Sequence, residues 1–296
     1  MSVKLKKLAD QVIVITGASS GIGLMTAEAA AKGGAKLVLA ARSGQALENI
    51  VARLGSEAIA VTCDVSDPQQ VQQLAEKAIA RFGRIDTWIN NAGLGLYGRL
   101  DETNEDDDRK LFDINFWGVV HGSRAALPHL RKNGGALINV GSEVSESYTP
   151  LLGMYTASKH AVKGFTDALR VEVEKVDKAP VSITLIQPTA VNTPFPQHAR
   201  NYLEHEPALP DPKLDPKQVA AAILSAAVKP VREKRVGTMA KISTTLATLF
   251  PAVEDRVIAS QVAKLQTEDP PRNTAGALHQ SSEAAGTAGH THGVSA

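Results

Sequence analysis

A chain of 296 residues, 43% apolar and 21% charged, is long enough to bury the core of one large α/β domain or two small ones. Its 32 lysines and arginines stand against 31 acids, and a formal charge of +1 excludes a global electrostatic pull toward nucleic acid or anionic membrane. Cys63 is the only cysteine, which excludes an intrachain disulfide and a cysteine-built metal cluster and fits a reducing compartment such as the cytoplasm.

The first twenty residues, MSVKLKKLADQVIVITGASS, carry three early lysines but an apolar run of only 12–15. That is far short of the ~7–15 residues of a signal-peptide core, and no stretch approaches the ~20 apolar residues of a membrane span. A soluble cytoplasmic protein is expected. Strands and helices then alternate. A buried strand over 12–16 leads into an alanine-rich helix over 21–32, a strand over 36–41, a helix over 44–54 and a strand over 58–63. Asp67-Pro68 opens a helix reaching Phe82, and 86–90 is a fourth strand. Thr103 is placed as the N-cap of a long helix, with Glu105, Asp106, Asp107 and Asp108 in its first turn facing the positive end of the helix dipole. Strands follow over 136–140 and 181–187, with helices over 155–176 and 217–228.

Six prolines make 192–216 a loop with short helical pieces, and 242–265 shows helical apolar spacing broken at Pro251. From Gln266 onward only Leu278 and Val294 are large aliphatics, so 266–296 is expected to be a disordered tail, with His279, His290 and His292 solvated rather than metal-bound. No metal site is expected. The fold class that results is α/β: a doubly wound, Rossmann-like parallel sheet with helices on both faces. It divides into a catalytic domain over 1–240, a helical extension over 241–265 and the tail. Ligands are expected beyond the strands' carboxyl ends.

Two sites of chemistry emerge. The first strand runs directly into Thr16-Gly17-Ala18-Ser19-Ser20-Gly21-Ile22-Gly23 and a helix. Glycines there let backbone approach a pyrophosphate, and the helix N-terminus supplies N–H donors and partial positive charge. The spacing is neither Gly-x-Gly-x-x-Gly nor a P-loop. Where a NAD site often carries an acid for the ribose, the second strand ends in Ala41, Arg42 and Ser43. Arg42 is suited to a 2′-phosphate, which favours NADP(H) over NAD(H); the alternative is a solvated surface arginine. The second site pairs Tyr155 and Lys159, four apart on one helix face. An ammonium at ~4 Å and an effective dielectric of 20 contributes roughly 4 kcal/mol, enough to lower a tyrosine pKa of ~10 by two or three units. Ser142, just past the strand over 136–140, places a hydroxyl at the same sheet edge.

With these residues in hand, the chain resembles the short-chain dehydrogenase/reductase family over roughly 8–240. The resemblance rests on TGASSGIG at 16–23, Asp64-Val65, Asn90-Asn91-Ala92-Gly93, Asn115, Ser142 and Tyr155-Thr156-Ala157-Ser158-Lys159. It implies that Tyr155 is the general acid/base and that Lys159 lowers its pKa and holds the nicotinamide ribose. It also implies that Ser142 orients the substrate oxygen and Asn115 holds a water linking Lys159 to solvent. Cofactor contacts carried over are Gly17, Ser19, Ser20, Gly21, Ile22, Gly23, Arg42, Ser43, Asp64 (adenine amino group), Val65, Asn91, Ala92, Gly93, Pro188, Val191 and Thr193. The partner implied is a small carbonyl or alcohol, and the assembly a homodimer or homotetramer. Thr189 departs from the family, which has glycine after this proline, and disfavours a positive φ there. Competing readings are an epimerase or dehydratase on the same scaffold, and a cofactor-sensing protein without catalysis. The second would be expected to break the set Asn115, Ser142, Tyr155 and Lys159, which is intact. His160, Trp88 and Cys63 read as structural residues, and Trp117 as core or subunit contact.

Overall fold

The structure, a computed structural model, describes residues 3–282. Its strands are β1 (Val12–Thr16), β2 (Lys36–Ala41), β3 (Ala58–Thr62), β4 (Thr87–Asn90), β5 (Leu96–Tyr97), β6 (Gly135–Val140), β7 (Val181–Pro188), β8 (Arg200–Asn201) and β9 (Glu233–Val236). The helices are α1 (Gly21–Lys32), α2 (Gly44–Leu54), α3 (Pro68–Phe82), α4 (Glu105–Phe112), α5 (Gly118–Asn133), α6 (Gly153–Arg170), α7 (Phe195–His198), α8 (Pro216–Val228), α9 (Thr238–Leu249) and α10 (Pro251–Ala259).

Seven strands form one sheet in the order β3-β2-β1-β4-β6-β7-β9, every pair parallel. Side chains alternate across a strand, and in β1 both sets are apolar. Ile13 and Ile15 join the core beneath α1 and α8, whereas Val14 joins the core beneath α3 and α5. This two-sided burial is why the strands read as continuous apolar runs. After β3 the chain returns to β4 on the other side of β1, so a crevice opens at the carboxyl ends of β1 and β4, where open α/β sheets bind ligands.

Local chemistry sets the helix ends. Asp67 accepts from the Gln69 and Gln70 amides, Pro68 occupies the first turn, and Gly83 ends α3 at φ +76°. In α4 the cap is Asn104, not Thr103: its amide oxygen accepts from the Asp106 and Asp107 N–H groups at 2.8 and 3.1 Å. Thr103 instead donates to Asp108.

The structure departs from expectation in other places too. β9 is a seventh strand the polar run Glu233–Val236 does not announce; it is a half-buried edge, so no face needs to be apolar. The helix expected over 155–176 begins at Gly153 and relaxes into a π-helical turn over Val171–Val176. Trp117 is 43% exposed and stacks on His121, so it is not core, whereas Trp88 is fully buried. Finally, residues 266–282 of the expected tail lie against the body, with Leu278 fully buried and His279 on Asp107. Polar anchors rather than a large apolar surface hold this segment. Residues 283–296, with His290 and His292, lie outside the described residues. Among those described, no helix is long and apolar enough to cross a membrane.

Candidate active site

A cleft enclosing about 2330 Å³ of space, open solvent included, runs along the carboxyl edge of the sheet. Its floor begins at the turn after β1. Gly17 has φ +66°, and a Cβ there would stand 2.7 Å from the Ala92 Cα; Gly21 has φ +51°. The Ser20 side chain does not cap α1, and Ser20, Gly21 and Ile22 at its start line the cleft. Thr16 ties this turn to the one after β4, its hydroxyl accepting from the Asn91 and Ala92 amides at 3.1 Å each. The geometry fits a pyrophosphate: two glycines keep the floor at backbone height, and the N-terminus of α1 borders it.

Most residues expected around a dinucleotide line this one cleft: Gly17, Ser19, Ser20, Gly21 and Ile22 from the first turn, Arg42 and Ser43 after β2, and Asp64 and Val65 after β3. Asn91, Ala92 and Gly93 line it after β4, as do Pro188, Val191 and Thr193 after β7. Two differ. Gly23 lies behind the turn, where a Cβ would be 2.2 Å from the Gly17 carbonyl oxygen, so it serves close packing rather than contact. Gly23→Ala is therefore expected to lower the melting temperature by several degrees and to weaken nucleotide binding together, as calorimetry and a binding titration would show. Asn90 is internal: its amide bonds to Asn139 at 2.9 Å, and the Trp88 indole N–H donates to its oxygen at 2.8 Å.

At the adenosine end, the Asp64 carboxylate accepts from the Ser66 amide and hydroxyl and faces Lys110 at 3.5 Å. Arg42 is half-buried; burial lowers its pKa and Asp64 opposes that shift. Its guanidinium donates to the carbonyls of Leu278 and Ala277, and the Ser43 hydroxyl meets that of Ser282 at 2.9 Å.

At the opposite end, Ser142 stands just beyond β6 and shares the cleft with Tyr155, whose phenol its side chain faces. The Tyr155 ring packs edge-on against Phe195, centroids 5.2 Å apart. One turn on, Lys159 is only 4% exposed and donates to the Val140 carbonyl at 3.0 Å. Asn115 sits in a π-helical turn, its amide donating to Leu94 O and Ser158 Oγ and accepting from Leu94 N. A Cβ on Gly93 would lie 3.2 Å from Asn115 Oδ1 and 3.5 Å from Lys159 Nζ, so all three meet at one point.

The electrostatics differ from the sequence expectation. Burial pushes the Tyr155 phenol up to about 12, Ser142 opposing and Glu143 reinforcing the shift. Lys159, buried without a carboxylate partner, is brought down to about 8. Its ammonium lies 5.6 Å from the centre of the Tyr155 ring rather than on the hydroxyl, so desolvation dominates over Coulomb attraction in the free chain.

Glu143 carries no signal in the sequence. Burial pushes its carboxyl up to about 7, although Thr189 and Ala190 favour the charged form; Glu254 adds repulsion. Thr189, the departure from the family pattern, thus faces Glu143, and its φ is not in the positive region. Between about 4.5 and 7 the folded chain binds more protons at Glu143 than the unfolded one, so this contribution to stability is present at low pH and declines as pH rises through 7. Glu143→Gln is expected to flatten that decline, worth about 2–3 kcal/mol, in melting curves taken from pH 4.5 to 8.

The same cleft has an aliphatic wall, part of which comes from outside the common pattern. Leu152, Leu209, Ile242, Leu246, Val257 and Ile258 line it, several of them from α9 and α10.

Comparison with known proteins agrees with this geometry. The short chain dehydrogenase family model matches residues 11–203. An uncharacterized oxidoreductase, YxnA of Bacillus subtilis, is 45% identical over 277 residues, covering 92% of this chain and 78% of that protein. Among solved structures, a short chain dehydrogenase/reductase from Burkholderia phymatum in complex with NAD superposes with a TM-score of 0.76 at 30% identity, covering 84% of this chain and 97% of that one. An alcohol dehydrogenase from the archaeon Thermococcus sibiricus complexed with 5-hydroxy-NADP gives 0.67 at 31% identity, covering 76% and 94%. The chain belongs to the short-chain dehydrogenase/reductase family.

Proposed function

We propose that the protein is an NADP(H)-dependent oxidoreductase interconverting a carbonyl and an alcohol, with Tyr155 as general acid/base. The observation that carries this reading is that Ser142, Tyr155 and buried Lys159 come together on one cleft whose other end is a glycine turn. The family neighbours crystallised with NAD and with an NADP derivative support a nicotinamide cofactor. Arg42, with no acid at Ala41, supports the phosphorylated form.

Gly17, Ser19 and the α1 amides would hold the pyrophosphate, Asp64 the adenine, Arg42 and Ser43 the ribose phosphate, and Lys159 the nicotinamide ribose. Bound there, the nicotinamide supplies or takes up the hydride. Ser142 donates to the substrate oxygen and fixes it beside Tyr155. Tyr155 Oη gives its proton to that oxygen as negative charge develops in reduction, and takes one from the alcohol in oxidation. Asn115, Lys159 and Tyr155 would form the route by which the proton is replaced. The aliphatic wall from α9 and α10 favours a substrate with a bulky apolar body.

Exposed Trp117 and Val171, beside Asn115 and at the end of α6, fit a homodimer or homotetramer, and the buried single cysteine fits the cytoplasm. Following NADPH absorbance against a panel of aliphatic and alicyclic ketones tests the reading. Binding without turnover across that panel would favour a cofactor sensor.

A further inference from the structure

Arg42 does not stand open to a ligand; a segment of the chain's own backbone holds it. One end of this segment is fastened beside α7 and β8. The Thr274 carbonyl accepts from the Asn201 amide and from Arg200 Nη1, both at 2.8 Å, and the Ala277 amide donates to the His198 carbonyl at 2.8 Å. His279 Nε2 meets Asp107 Oδ1 at 2.6 Å, on a carboxylate that also accepts from Arg200 and Tyr202. Gly276 makes the bend at φ +56°, where a Cβ would lie 2.2 Å from the Ala199 carbonyl oxygen. The other end reaches the adenosine side, where Leu278 O and Ala277 O accept from Arg42 Nη1 and Nη2 and Ser282 meets Ser43. Ala277 and Ser282 face the same cleft as Gly17 and Asp64. The segment therefore links the Tyr155 side of the cleft, through the loop carrying Phe195 and His198, to the ribose side.

We propose that residues 273–282 form a strap that competes with the cofactor's 2′-phosphate for the Arg42 guanidinium and so sets how strongly the protein prefers NADP(H) to NAD(H). This rests on reading the cleft as a nicotinamide-cofactor site. A phosphate takes a guanidinium through two parallel N–H donors, and here Nη1 and Nη2 already serve two carbonyls. A dianionic phosphate is the stronger acceptor for this fork, but it gains Arg42 only by releasing the strap. NAD(H) has no group for Arg42 and leaves the strap fastened. Cofactor choice and strap position are thereby coupled, and the coupling is reciprocal.

Hydrogen exchange on the unmodified full chain tests this directly. Saturating NADPH is expected to speed exchange of the Ala277 amide and its neighbours at least about tenfold, and saturating NADH to leave it unchanged. In full-length Gly276→Val and His279→Ala, which unseat the strap at separate points, the NADPH dissociation constant should fall about 5- to 20-fold. That is a part of the roughly 10- to 100-fold that a whole charge-assisted hydrogen bond is worth, as expected when a competitor is relieved rather than a bond added. The NADH constant should stay within about twofold. Slower strap exchange with both cofactors, or variants that weaken both, would make the strap a wall of the site and overturn the competition. If the unmodified chain binds both cofactors and neither exchange nor variants respond, the strap proposal falls while the oxidoreductase reading stands. If it binds neither, the reading of the cleft falls first. Should both variants fail to fold by circular dichroism, the exchange result on the unmodified chain decides alone.

Discussion

Tyr155→Phe is expected to lower turnover by about 10²–10⁴, the scale of lost general acid–base catalysis, while nucleotide binding persists. The substitution deletes one oxygen and leaves the ring packed edge-on against Phe195, so the fold should be indifferent to it. What is lost is the hydroxyl proposed to donate the proton to the substrate oxygen, which also faces Ser142. The two hydroxyls predict different pH behaviour when removed. Ser142→Ala leaves Tyr155 but withdraws the contact that opposes its high pKa, so the limb on which oxidation rises with pH as Tyr155 deprotonates should move to higher pH. Tyr155→Phe should abolish that limb with the activity. Stopped-flow turnover at several pH values, with nucleotide affinity measured in parallel, separates these outcomes. Full activity in Tyr155→Phe would show that the proton comes from elsewhere.

The strands of the central sheet were legible because each is apolar on both faces, and β1 leads straight into the glycine turn. β9 was not, since an edge strand with charged side chains satisfies the same backbone pairing without an apolar pattern. Tyr155 and Lys159 could be placed on one helix face from spacing alone. Their protonation could not: the Coulomb estimate assumes the ammonium stands at the phenol oxygen, and in the fold it donates to Val140 instead. Asn104 replaced Thr103 as the α4 cap because either residue type suits the position, and only the backbone geometry selects between them.

The C-terminal segment shows a different limit. With Leu278 as its one large aliphatic side chain, 266–282 offers little burial to offset ordering. Its anchors are carbonyls and a His279–Asp107 pair separated by 172 residues, and no local pattern displays such partners. Glu143 is hidden for the same reason, since its meaning depends on Thr189 and Glu254 arriving from β7 and α10.

Arg42→Ala is expected to erase a preference of about 10- to 100-fold for NADPH over NADH, mainly by weakening NADPH. A hydrogen bond to a charged group contributes roughly 1.5–3 kcal/mol, and each 1.4 kcal/mol is a factor of ten in affinity. NADH should bind almost as before, because its ribose hydroxyl gives the guanidinium no charge to pair with. Ala41→Asp should go further, adding an acceptor for that hydroxyl and a repulsive charge against the phosphate. Salt offers an independent check. Arg42 is only half-buried, so raising ionic strength from about 0.01 to 0.15 M, which shortens the Debye length from roughly 30 to 8 Å, should weaken NADPH more than NADH. The strap and the phosphate leave separate marks in this experiment. Loss of the phosphate partner weakens NADPH alone, whereas release of the Ala277 and Leu278 carbonyls in the same variant should speed exchange of the strap even without nucleotide. Equal affinities for both cofactors in the unmodified chain would remove Arg42 from the ribose site, and with it the assignment of NADP(H), leaving Tyr155, Ser142 and Lys159 untouched.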